Sequence, residues 1–480
     1  MNIGILGHVD SGKTTLAKAL SSIGSTAAFD KHAKSANLRA NTIDLGFSAL
    51  TINDTRIALI DCPGHASLIR AVMAASSVFD AAIVIINVLR GIEPQTVEHL
   101  LLVSILVPHA CVIVLNKCDL ISPDKVEAIR KKIPKALKSL KISENSPIVT
   151  TSLMEKPDES ISSIVDAVRQ IIYKPNRISS GHFVMAVDHC FPIKGKGTVM
   201  TGTVVDGSCK AGMEIEIPVL QEKRKVREVQ SWKQVVPEGR MGDRVALLLN
   251  DVSSQEIDRT IIFEVGAQVQ KACYMLVSVK RIELYRHEVP HRSKLFISIG
   301  FETMTAECHF LKSEGDEFEL HDQLNDETTH ILLILEHPVY TKLDSLFLAA
   351  RLDSQFKTEC RFICYGRIVK LVSQLDDVKR FHQKFRTGIV ERVENENSLI
   401  CHSLFKKETN FEVYNNMLVH LSTGESGRVE GSFGKSGKAR IVIPSGILPS
   451  TLDAIKSGGP VEVQLRLKKY LMSKTHLSSY

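Results

Sequence analysis

The sequence contains no Cys-x-x-Cys pair, no fixed-period repeat and no low-complexity tract. It also lacks any apolar run near the roughly 20 residues needed to cross a bilayer. The first absence argues against a zinc ribbon or a dithiol redox centre. The ten cysteines are scattered, and the one close couple, Cys360 and Cys364, has no second pair to complete a metal site. Free thiols in a reducing cytoplasm are the expectation, with Cys111 inside an apolar run that reads as a buried strand. The chain opens on Met-Asn-Ile-Gly-Ile-Leu-Gly, a strand feeding a glycine loop, so neither a signal peptide nor a membrane partner is expected. Charge is not extreme either: a formal net charge of +6 is compatible with a polyanionic partner and proves none.

What is present is an ordinary globular composition, 44% hydrophobic and 24% charged, over 480 residues, enough for three or four domains. Residues 1–177 alternate apolar runs (3–6, 57–60, 81–88, 111–115) with helical patterns (14–22, 67–76, 95–106, 123–137, 160–173). That alternation predicts a mostly parallel sheet covered by helices on both faces. Beyond Lys174-Pro-Asn-Arg177 the texture changes to short strand-like runs (181–188, 197–205, 213–217, 245–249) separated by glycine turns, the pattern of a small β-barrel over 178–265. A second barrel is expected over 266–372, a linker at 376–380, and a β-rich region over 373–480.

Three motifs give the first domain its chemistry. Gly7-His-Val-Asp-Ser-Gly-Lys13-Thr14 fits GxxxxGK[ST] and lies between a strand and a helix, the context the phosphate loop requires. Its backbone amides would cradle phosphates, with Asp10, Ser11, Gly12, Lys13, Thr14 and Thr15 forming the cradle. Lys13 would reach the β- and γ-phosphates and Thr14 would ligate Mg²⁺. Asp61-Cys-Pro-Gly64-His65 ends a strand, where Asp61 can hold Mg²⁺ through water and Gly64 can offer its amide to the γ-phosphate. His65 is suited to orient the attacking water. Asn116-Lys117-Cys-Asp119 ends the next strand: the Asp119 carboxylate accepts from guanine N1 and N2, Asn116 braces the loop, and the Lys117 stem covers the ring. The purine loop is completed near Thr151-Ser-Leu153. Thr42, between the first two motifs, is the candidate switch threonine for Mg²⁺ and the γ-phosphate. Together these predict a GTPase with GTP/GDP and Mg²⁺ as ligands.

Gly-His-Val-Asp-x-Gly-Lys-Thr with Asp-Cys-Pro-Gly-His resembles the translational GTPases, as does Phe191-x-Ile-x-Gly-Lys-Gly-Thr-Val-x-Thr-Gly202 in the first barrel. The resemblance implies that His65 positions the hydrolytic water, with hydrolysis stimulated by the ribosome, and associates Asp10 with a monovalent cation. Within that family, Phe29-Asp30, Thr42-Ile-Asp-Leu-Gly-Phe47 and Val187-Asp-His-Cys-Phe191 are similar to the selenocysteine-specific elongation factors. Where general factors carry acidic residues and an asparagine, this chain has Asp188-His189 and Arg244. A selenol ionises readily, so a pocket containing Arg244 and His189, with Asp188 holding one of them, would favour selenocysteine over serine.

The implied partners are selenocysteinyl-tRNA, the ribosome and the selenocysteine-insertion mRNA element, met directly or through its binding protein, by a monomer acting at UGA codons. The fourth region would serve that recoding step, with Lys435, Lys438, Arg440, Lys468 and Lys469 as candidate RNA contacts. The alternative is a general aminoacyl-tRNA or initiator-tRNA carrier. One departure stands out: where the family reads Arg-Gly-Ile-Thr, this chain has Arg39-Ala-Asn-Thr42, placing polar Asn41 in an apolar gate opposite Val9.

Overall fold

The structure, a computed structural model, describes residues 1–24, 46–52, 55–63, 78–177, 181–250, 252–253, 257, 260–300, 302–352, 359–434 and 436–471. The chain divides into two units, residues 1–309 with 323–373 and residues 310–322 with 374–480. It is an α/β domain followed by β-rich domains. Among the described residues no helix is long and apolar enough to cross a membrane.

The first domain is a six-stranded sheet of β1 (Asn2–Gly7), β2 (Gly46–Ile52), β3 (Thr55–Asp61), β4 (Ala81–Asn87), β5 (Cys111–Asn116) and β6 (Ile148–Thr150). Their order is β2-β3-β1-β4-β5-β6, and only β2, at the edge, runs antiparallel to its neighbour. β1, β4 and β5 are buried along their whole length, which is why they read as unbroken apolar runs rather than alternating ones. Successive residues feed opposite faces. Ile113 and Leu115 pack with Leu100, Leu102 and Leu137 on one side, and Val112 and Val114 with Leu16, Ile164 and Val168 on the other. β1 pairs with β3 on one edge and β4 on the other, so sheet growth reverses at β1. The carboxyl ends of the strands at such a reversal form the crevice where α/β sheets bind ligands.

The expected helix over 123–137 is two helices, Pro123–Arg130 and Ile133–Ser139. Pro134 cannot donate to the preceding turn and instead sits in the first turn of the second helix. The strand expected at 181–188 runs over Val184–Ile193, one arm of a long hairpin with Gly197–Asp206. Gly202 lies where these strands are crowded: a Cβ there would approach Ala186 O to 2.1 Å. A core of Val187, Met200, Val204, Ile215, Leu247 and Ile262 fills this barrel.

The next barrel closes on itself. Its six strands run Lys294–Ile299, Leu346–Ala350, Phe362–Val372, Gln270–Ser278, His330–Thr341 and Glu302–Glu314, the last pairing back with the first.

The second unit is also a closed six-stranded barrel, ordered Arg380–Asn395, Ser398–His402, Lys438–Val442, Ser426–Phe433, Leu418–Leu421 and Glu462–Tyr470, which returns to the first strand. Closure removes the exposed edges that would otherwise template aggregation. The stretch 376–380, read from sequence as a linker, is structured instead. A single 3-10 turn, Leu375–Asp377, leads into buried Val378 and Arg380, and Arg380 donates to the carbonyls of Leu375 and Val378. Buried carbonyl partners explain why a charged residue can start a strand here.

Candidate functional site

The phosphate loop joins β1 to the helix Lys13–Gly24. Gly7 has φ of +146° and a Cβ on it would meet Ile85 O at 2.3 Å; Gly12, at φ of +107°, leaves the space that the Asn116 amide fills. Both positions therefore exclude side chains on steric grounds. Lys13 is nearly buried, and its ammonium donates to His8 O at 2.7 Å. Burial pulls its pKa down to about 8 despite nearby Asp61. Thr14 Oγ1 donates to Asp61 Oδ2 at 2.9 Å. Asp61 is itself buried, which raises its pKa, and among the described residues its Oδ1 has no hydrogen-bond partner.

Asn116 ties three segments together. Its Nδ2 donates to Ser11 O at 2.9 Å, while Oδ1 accepts from Leu153 N at 3.2 Å and Thr151 Oγ1 at 3.3 Å. The amide of Asp119 donates to Ser152 Oγ at 3.1 Å, so 151–153 packs beside the carboxylate proposed to read guanine. Lys117 adopts φ of +67°, the left-handed turn that carries the chain from β5 into this loop. The Asp119 side chain is exposed and open to a ligand.

Sequence reasoning missed the residue behind the loop. His99, fully buried on helix Pro94–Leu106, accepts the Gly7 amide at Nδ1 over 3.0 Å. Burial pushes its pKa down to about 3, so the ring is neutral and can accept. Its neighbour Glu98 takes both Nε (2.8 Å) and Nη2 (2.6 Å) of Arg361, at the rim of the closed barrel in the same unit. A helix-period pattern locates the helix but does not distinguish these two from ordinary polar residues.

Asp188, His189 and Arg244 converge. The strand pairing slips at this point, Val187 facing Gly202 and His189 facing Thr201, so Asp188 is the extra residue of a β-bulge. The Asp188 carboxylate is almost wholly buried. Arg244 grips it with Nη1 and Nη2 (the latter 2.9 Å to Oδ1), Thr201 Oγ1 donates at 2.9 Å, and His189 Nδ1 lies at 2.9 Å. Burial raises the carboxyl's pKa, but the Arg244 charge and the hydrogen bonds outweigh it, leaving the pKa below the ordinary value. The sequence reading has Asp188 holding one of these two groups; in the structure its carboxylate contacts both, as the partner of Arg244 in a buried ion pair and at 2.9 Å from His189 Nδ1.

The comparisons with known proteins fit this geometry. Residues 1–222 match the model of the elongation factor Tu GTP binding domain, and residues 377–474 match that of the eEFSec C-terminal RIFT domain. The selenocysteine-specific elongation factor of Mus musculus is 32% identical over 527 residues, covering 94% of this chain and 89% of the mouse protein. The chain belongs to the selenocysteine-specific elongation factor family. A second member, from Methanocaldococcus jannaschii, is 32% identical and covers 77% of this chain and 79% of its own length. Among solved structures, elongation factor SelB from Methanococcus maripaludis in complex with the GTP analogue GppNHp superposes with a TM-score of 0.77 at 25% identity, covering 98% of both chains.

In this family member, Thr42, Gly64, His65 and Lys435, with Phe29, Asp30, Asn41 and the helix expected over 67–76, lie outside the described residues. The other C-terminal candidates are described, and three are engaged. Lys438 pairs with Glu391 (2.6 Å), Arg440 Nη2 donates to Glu394 (3.0 Å), and Lys468 pairs with Glu317 (2.8 Å) and Glu314 (3.3 Å). Acidic cross-strand neighbours, not visible as such in the linear sequence, compensate these cations. Lys469 is exposed. Arg392 and Arg440 both approach the Phe433 ring, at 5.4 and 5.7 Å, a cation–aromatic grouping that sequence reading also passed over.

Proposed function

We propose that the protein is a GTP-dependent elongation factor that carries selenocysteinyl-tRNA to the ribosome for recoding of UGA, acting as a monomer in the cytoplasm. The observation that carries this reading is the convergence of Arg244 and His189 on the bulged, buried Asp188. Asp188 fixes the guanidinium in place, and Arg244 and His189 are the donors offered to an anionic selenolate. Family membership supports the same reading.

GTP binds with its phosphates on the amides of residues 7–15 and its base against Asp119. Thr14 and Asp61 fit a Mg²⁺ ion: they lie side by side, and Asp61 Oδ1 is a buried acceptor with no partner among the described residues. Such an ion, when bound, neutralises charge on the β- and γ-phosphates. Lys13 adds its own positive charge there. On sequence grounds, Thr42 closes over the γ-phosphate and His65 orients the water that attacks γ-phosphorus, breaking the bond to the bridging oxygen and yielding GDP and phosphate once the ribosome stimulates the step. The C-terminal unit meets the selenocysteine-insertion mRNA element or the protein bound to it.

The test is a binding titration in the GTP-analogue state with selenocysteinyl and seryl forms of one tRNA. A charge-assisted hydrogen bond is worth about 1.5–3 kcal/mol, so the selenocysteinyl form should bind at least about tenfold tighter. Equal affinities would overturn the pocket and favour a general aminoacyl-tRNA or initiator-tRNA carrier.

A further inference from the structure

Phe47 belongs to the GTP-binding domain, yet its ring lies on the Asp188 cluster of the barrel. The ring centroid is 3.3 Å from the Arg244 guanidinium carbon, and the ring meets His189 edge-on at 6.3 Å and 84°. A phenyl ring at that distance covers one face of the cation. Asp188 occupies the guanidinium edge, and the Arg244 side chain is left only 12% exposed. The two groups offered to the aminoacyl side chain are thus both in contact with one aromatic ring.

The backbone connects that ring to the nucleotide site. Phe47 is the second residue of β2, whose ladder with β3 sets Gly46 opposite Asp61 and Phe47 opposite Ile60. Asp61 in turn holds Thr14 of the phosphate loop. One ladder step therefore separates a side chain of the nucleotide site from the residue covering Arg244. Hydrogen-bonded strands move together, so a displacement at the end of β3 is passed to Phe47 rather than absorbed.

We propose that Phe47 is a nucleotide-linked lid on the aminoacyl pocket: its ring lies over Arg244 and His189 in the GDP state and withdraws in the GTP state. The proposal rests on reading the Asp188 cluster as that pocket. It explains how a carrier could hold its charged amino acid before hydrolysis and lose it afterwards without rearranging the buried Asp188–Arg244 pair. The ligand loses its place to a ring that closes over the guanidinium and imidazole it would approach.

Two measurements test it. A fluorinated phenylalanine placed at position 47 should give distinct ¹⁹F resonances with GDP and with a GTP analogue, since a ring stacked on a cation and a withdrawn ring have different surroundings. Phe47→Ala should raise GDP-state affinity for selenocysteinyl-tRNA at least tenfold and change GTP-state affinity less than threefold. Phe47→Leu, which keeps apolar bulk on β2, should shift affinity in the same direction, and unchanged GTP-analogue binding in both variants checks that the domain is folded. A single ¹⁹F environment in both nucleotide states, or unchanged GDP-state affinity in both variants, overturns the lid. Loss of the selenocysteinyl-over-seryl preference in the wild type instead overturns the underlying pocket, a result that leaves the ¹⁹F outcome independent.

Discussion

The nucleotide site and the Asp188 cluster are built in opposite ways. The first is assembled from strand ends and backbone: Gly7 and Gly12 make room, amides point inward, and the Asn116 side chain joins Ser11 to Thr151 and Leu153 through neutral hydrogen bonds. The second is assembled from charge: a nearly buried carboxylate, a guanidinium 56 residues away and an imidazole. A site made of dipoles costs the fold little when one ligand-reading group is changed. A buried ion pair does not share that tolerance, because removing one partner strands the other in a low-dielectric interior.

Asp188→Asn probes that difference most strongly. It should destabilise the barrel by about 3–5 kcal/mol, read as faster native-state hydrogen exchange along Val184–Ile193 and Arg244–Leu249. Wild-type protection in the variant would show the pair to be dispensable and remove the contrast.

Asp119→Asn tests the other side. It should leave those exchange rates unchanged while weakening GTP by about 1.5–3 kcal/mol and favouring xanthosine triphosphate, as competition between the two nucleotides would reveal. Unchanged base preference would take Asp119 out of the site.

Lys13 sharpens the comparison, since with Asp61 it puts buried charge into a site otherwise framed by backbone dipoles. Its pKa is about 8, so the ammonium loses its proton as pH rises through that value. Triphosphate binding favours the charged form, so GTP binding takes up a proton there. Affinity should therefore be flat below pH 7 and fall above pH 8 by up to about tenfold per unit, the one-proton limit of 1.36 kcal/mol. Titrations at pH 7, 8 and 9 measure it, and a pH-independent affinity would contradict the burial of Lys13.

The smallest effect is expected on the C-terminal barrel. Lys438→Ala removes an exposed ion pair with Glu391 and should change stability by less than about 1 kcal/mol, so chemical denaturation of the variant should match wild type closely. A larger loss would mean that surface charge, too, holds a domain together.

The same contrast explains what the sequence disclosed. Contiguous motifs at strand ends are legible because backbone geometry demands glycine, lysine and threonine at fixed spacing. Asn116 could be assigned as a brace on that basis, and residues 151–153 as its companion loop. Asp188, His189 and Arg244 could be named through resemblance, yet their arrangement could not be foreseen. A β-bulge adds one residue without altering the alternation around it enough to be noticed, and Asp188 is that extra residue. Phe47 reads as an ordinary apolar strand residue, and only tertiary structure brings it to Arg244. The break before Pro134 was visible in the proline itself, but amphipathic periodicity ran on across it.

Glu98 and His99 are adjacent on one helix, and each is committed elsewhere: Glu98 to Arg361, His99 to the first amide of the phosphate loop. The two grips sit a single residue apart. If the barrel slides along the helix with Arg361 engaged, Glu98 is dragged with it, and the imidazole must follow, altering the pull on Gly7. The barrel's Arg361 and the phosphates' cradle are thus moored to adjacent residues of one helical turn.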